Sequence, residues 1–260
     1  MRAAKGRCTG EESAAGVESL SNKSLMGRTG ACQIPLPRPI LFLAADTGGA
    51  TLTPAMKLNL PVVLFLLYLV QCILLGIHPV SRPTWWSENI TVWVVLLPVV
   101  WLYLRGIHFS NTAYVLMSVL IFLHTIGGHY TFSEVPFGWV TELIGAQRNH
   151  FDRVAHFSVG FWAFPIMEYI EGRGFSRHRG FSLVVAMSVI LAIAGLFEIV
   201  EWLYAAAADP VAGAEFLGSQ GDIWDAQKDM LADGLGAVAA CLAYAVIYRG
   251  RRSPPLPRTA

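Results

Sequence analysis

Charge is what this sequence has little of. Only 14% of its 260 residues are Asp, Glu, Lys or Arg, and the two signs nearly cancel to a net +1. No basic stripe forms outside short loops, so nothing suggests a nucleic-acid partner. The four cysteines, Cys8, Cys32, Cys72 and Cys241, contain no Cys-x-x-Cys pair, and neither a disulfide framework nor a zinc ribbon is indicated. A nucleophile elbow, a Walker loop and an H-E-x-x-H helix are missing, which removes the familiar hydrolase and nucleotide-binding signatures. No stretch carries the period-2 alternation of a strand.

What is present is apolar. The chain is 54% hydrophobic with a mean hydropathy of +0.50, well beyond a soluble domain. A spanning helix needs about 20 mostly apolar residues, and six stretches approach that length: 58–77, 90–104, 112–126, 154–170, 181–204 and 224–248. The expected fold is an all-α, polytopic membrane bundle of six transmembrane helices occupying 56–250. Residues 1–55 are rich in Gly, Ser, Thr and Pro, and their one apolar patch, "ILFLAA", is too brief to span. They are expected to be a disordered N-terminal extension, with Met56 as the natural start, and 251–260 to be a cytoplasmic tail.

Orientation follows the positive-inside rule. Lys57, Arg105, Arg173, Arg177, Arg179, Arg249, Arg251 and Arg252 fall on the side of the termini, against Arg82, Arg148, Arg153 and Lys228 on the other. Both termini are therefore expected in the cytoplasm of a bacterial inner-membrane protein. The acids then gather on the outer face. Four segments carry them: "GGHYTFSEVPFG" with Glu134, "RNHFDRVAH", "GLFEIVEW", and "GSQGDIWDAQKDMLAD" with Gln220.

Helical spacing sorts these residues into faces. Glu198 and Glu201 point together, Asp152 and His156 point together, and Asp222, Asp225, Asp229 and Asp233 form one stripe. A carboxylate at bilayer depth is costly unless partnered or in a wet cavity, so a shared polar pocket is expected. Three readings of it stay open. Asp152, His156, Glu198 and Asp229 suit a divalent ion (Mg, Mn, Ca or Zn), with Glu201 or His129 as acid or base. The same residues suit a metal-free lipid or solute pocket, or a structural network in which Arg148, Arg153 and Lys228 neutralise the acids. One of those arginines, Arg148 or Arg153, is expected within salt-bridge reach of Glu198 or Glu201. His124 reads as a packed helix histidine, and Gly195, Gly234 and Gly236 as points of close helix approach.

The runs "GGHYTFSEVPFGW", "RNHFDRVAHF", "FEIVEW" and "GSQGDIWDAQKDM" resemble the YjdF-like family of bacterial inner-membrane proteins, over nearly everything after Met56. More distantly, "DRVAHF", Glu198 and "DMLADGLGA" are similar to the VanZ-like pattern, with Arg153, Glu201 and Asp233 in place of its Lys, Gln and Asn. The resemblance implies architecture and location. It supplies no reaction, and two functions remain: a metal-assisted hydrolase or transferase acting on a lipid-linked or envelope molecule, or a non-enzymatic binder or proton-coupled transporter.

Overall fold

The computed structural model describes residues 59–250 and 255–256. The expectations for 1–55, for a start at Met56 and for most of the tail lie outside the described residues. Within them the chain is helical, without strands: α1 (Leu60–Leu75), α2 (Arg82–Leu104), α3 (Asn111–Tyr130), α4 (Gly138–Leu143), α5 (Phe151–Val159), a 3-10 turn (Gly160–Trp162), α6 (Ala163–Gly172), α7 (Arg179–Ala207), α8 (Pro210–Leu217) and α9 (Asp225–Ile247). Four of these, α2, α3, α7 and α9, are long and apolar enough to cross a membrane. The 16-residue α1 is apolar but shorter.

Two expectations change in detail. α2 begins eight residues before the expected position 90, at Arg82. The hydroxyl of Ser81 caps it by accepting from the Thr84 N–H, and Pro83 stands in the first turn, where a missing N–H costs nothing. Its early polar residues Thr84, Glu88 and Asn89 are buried inside the bundle, which is why polarity did not end the helix. The stretch expected as the fourth span is interrupted by the 3-10 turn, which separates α5 from α6. The short helices α4 and α8 had no counterpart in the apolar runs.

Lipid tails are as apolar as leucine, so helices in a bilayer associate through close packing and polar contacts. The tightest contact here joins α5, with the turn after it, to α9. A Cβ on Gly236 would stand 1.9 Å from the Phe157 carbonyl oxygen, and one on Gly160 would stand 2.1 Å from the Ala237 nitrogen. Backbone meets backbone at this crossing. Gly195 and Gly234, also expected at close approaches, have only ordinary side-chain neighbours at 3.8 and 3.4 Å.

A cluster of fully buried side chains, among them Phe164, Met167, Ile190, Ala237 and Tyr244, fills the bundle between α6, α7 and α9. The carboxylate of Glu168 ties that end together, accepting from the Tyr248 hydroxyl (2.7 Å) and the Ser110 N–H (3.0 Å). At the opposite end, α3 stops where Thr131 and Phe132 take left-handed backbone, with φ of 58° and 49°. This reversal drops the Phe132 ring onto Gly127, against the space a Cβ would need.

Candidate functional site

The Gly160–Gly236 crossing sets the site, because it clamps α5 and α9 one turn beyond their polar first halves. On α5, Asp152 and His156 share a face; on α9, Asp225, Asp229 and Asp233 do. All five are buried. His156 Nε2 stands 3.6 Å from Asp152 Oδ1 and 3.7 Å from Asp229 Oδ1, while its Nδ1 stands 3.3 Å from Asp233 Oδ1. Asp233 thus fixes the ring through Nδ1 and turns Nε2 toward the other two carboxylates, the arrangement by which an outer acid orients a ligating histidine. One ligand atom each from Asp152, His156 and Asp229 lie within 4.8 Å of one another.

The arginines correct one expectation. Neither reaches Glu198 or Glu201. Arg153 donates to both Asp229 and Asp225, and Arg148 donates to Asp225 at 2.6 Å and lies 3.8 Å from Asp152. Both guanidinium groups therefore sit on the α9 stripe, whose regular spacing offers a fork more acceptors than the two glutamates of α7. Lys228 closes the outer edge on Asp222 at 2.6 Å. That contact, with the Trp224 N–H, holds the half-buried Asp222 carboxyl below its ordinary value. Nearby, partial burial and then Arg148, Arg153 and Lys228 hold His150 below its ordinary value.

The other expected residues scatter around this core. Glu198 is half-buried, its Oε1 has no hydrogen-bond partner, and it stands within electrostatic reach of His156, Asp229 and Asp152, yet it is outside the tight ligand group. Glu201 is buried and faces the cavity described next. Gln220 clasps the backbone of Asn149 through both ends of its amide, at 2.9 and 3.0 Å, and so ties the loop before α9 to the loop before α5. Glu134 is exposed and makes no side-chain bond among the described residues. His129 turns away from the cluster: its Nδ1 meets the Leu75 carbonyl at 2.6 Å, at the end of α1.

A cavity of about 460 Å³ adjoins the cluster. Its walls come from α2, α3, α5, α7, α8 and the reversal after α3 and are largely apolar, with Ile121, Phe132, Ala194, Phe197 and Phe216 among them; its polar lining is Glu88, His124, Asp152, His156, Glu201 and Asp233 with Thr91. Glu88 and His124 were missing from the expected site. Their side chains are buried and stand 2.7 Å apart across α2 and α3. The signal was present in "WWSENITVW", where Glu88 and Asn89 precede an apolar run without a turn residue to end the helix.

Four membrane-length helices and a buried acidic cluster at one end of them define a polytopic integral membrane protein. The chain belongs to the family of predicted membrane proteins DUF2238, whose pattern matches residues 60–251. It is similar to the inner membrane protein YjdF of Escherichia coli (strain K12), being 39% identical over 133 residues, which cover 49% of this chain and 63% of that protein. The matched stretch thus spans under two thirds of the relative's length. No solved structure matches the chain. The resemblance to YjdF-like proteins holds; the more distant VanZ-like likeness rests on the motifs alone.

Proposed function

We propose that the chain is a metal-assisted hydrolase or transferase of the bacterial inner membrane, acting on a lipid-linked or envelope molecule from within a six-span bundle whose termini are cytoplasmic. In this reading α1 and the interrupted α5–α6 pair serve as the two spans beyond the four long helices. The observation that carries the chemistry is the triad of Asp152, His156 and Asp229, with ligand atoms within 4.8 Å of one another, of which Asp152 and His156 reach the polar end of an otherwise apolar cavity.

Two carboxylates and one imidazole fit Mg, Mn, Ca or Zn. The fit carries one condition. Arg153 already donates to Asp229 Oδ1, so Asp229 would have to share its carboxylate between Arg153 and an ion. A divalent ion held there would supply Lewis acidity and a water of lowered pKa. In this reading Glu201, which faces the cavity without a partner among the described residues, would accept the proton, and Asp233 would keep His156 in register. His129 is too committed to Leu75 for that role.

The test is elemental analysis of the full chain purified in mild detergent, before and after chelation. About one divalent ion per chain, lost in D229N and H156A, is expected. A metal-free native protein would instead favour the binder reading, to which the Arg153 contacts on the same aspartates lend support.

A further inference from the structure

The cavity has a door and a closed end, and their chemistries differ. Ile90 and Val94 of α2 and Leu196 and Val200 of α7 line it, yet remain 51%, 66%, 62% and 52% exposed. They sit in two membrane-length helices, so this slit opens onto hydrocarbon. At the closed end Glu88, Asp152, Glu201 and Asp233 reach the cavity, and no lysine or arginine lines it.

Most of these acids are already engaged: Asp152 and Asp233 by His156, with Arg148 and Arg153 also near Asp152, and Glu88 by His124. Glu201 is the exception. It is 9% exposed, and it has no hydrogen bond or ion pair among the described residues. Glu198, one turn before it on α7, acts on it electrostatically ahead of His156, Asp152 and Glu88. A buried carboxylate left alone in a low-dielectric wall is costly, and a cation in the cavity relieves that cost.

We infer that the cavity takes an amphiphile sideways from the bilayer, with one hydrocarbon chain in the apolar part and a protonated amine seated on Glu201. This inference names the substrate class of the site proposed above and rests on its lipid-facing cavity. About 460 Å³ is in the range of a site for a single small ligand, which fits one chain and a compact head. An anionic head would meet four carboxylates in a cavity that no lysine or arginine lines. A divalent ion on Asp152 and Asp229 does not change that at Glu201, which keeps no cationic partner among the described residues.

Binding of dodecylamine, dodecyl phosphate and dodecanol to the full chain in mild detergent tests this by native mass spectrometry, with metal stripped by EDTA so that failure of the metal reading leaves the outcome intact. Dodecylamine is expected to bind one per chain, about ten-fold or more tighter than the other two. E201Q should bring it down to the level of dodecanol. V94W and L196W, which fill the slit from opposite helices, should weaken dodecylamine binding in whichever folds. Equal binding of the three amphiphiles, tighter binding of dodecyl phosphate, or an E201Q chain that holds dodecylamine as well as the parent overturns the inference.

Discussion

Arg153 holds the site's charges in balance. Its guanidinium spans Asp225 and Asp229, and the side chains involved are 15%, 11% and 4% exposed. Removing one partner of a pair so buried strands the opposing charge, at a cost of about 3–5 kcal/mol. Arg153→Ala is therefore expected to lower the thermal midpoint in detergent sharply. Lys228→Ala should hardly move it, because that lysine is 52% exposed and an exposed pair contributes about 0–1 kcal/mol. Comparable losses in the two variants would contradict this ranking. At this scale the sequence was informative up to a limit. Three-and-four spacing put Asp152 with His156, and lined up Asp222 to Asp233, because both are properties of a single helix. Which face meets which neighbour depends on how each helix is rotated in the bundle. That rotation carried the arginines to α9 instead of Glu198 and Glu201, carried His129 out to α1, and brought Glu88 to His124.

Among elements, the α5–α9 crossing governs the rest. Gly236→Ala places a methyl where the Phe157 carbonyl oxygen already stands, and relief requires the two backbones to part. Overpacking of this kind costs about 1–3 kcal/mol. The same separation pulls Asp233 from His156, so the variant should lose both stability and bound divalent ion. Gly195→Ala is the control: its nearest neighbour is Met230 Sδ at 3.8 Å, and alanine in a helix gains about 0.5–1 kcal/mol over glycine. Thermal melts of the two variants should move in opposite directions. Gly236 was readable as a small residue in an apolar helix, whereas Gly160 was lost inside a stretch read as one continuous span. The 3-10 turn at Gly160–Trp162 is followed by Pro165, whose missing N–H cannot bond back to the Phe161 carbonyl; an apolar-run reading counts that proline as one more apolar residue and passes over the break. The early start of α2 was hidden for a different reason: hydropathy penalises Thr84, Glu88 and Asn89 wherever they point, and here they point inward.

For the molecule as a whole, the proposed orientation places the acidic end outside the cell and the Glu168 end in the cytoplasm. Reporter fusions after Arg179 and after Gly218 should report opposite sides, and a common side for both would refute the arrangement. The basic flanks that set this orientation lie partly at Lys57, Arg251 and Arg252, beyond the described residues. The glycine contact between α5 and α9 has a mechanical consequence as well. Two helices locked backbone to backbone have no side-chain cushion to slide on, so together they behave as a single rigid post, and the spacing of Asp152, His156, Asp229 and Asp233 is built into it. Any breathing that admits a guest is left to the thinner partition of α2 and α7, where exposed aliphatic side chains yield to neighbouring lipid. The opening can widen and narrow while Asp152, His156, Asp229 and Asp233 keep their places, and Glu88 and Glu201, carried on α2 and α7, move with it.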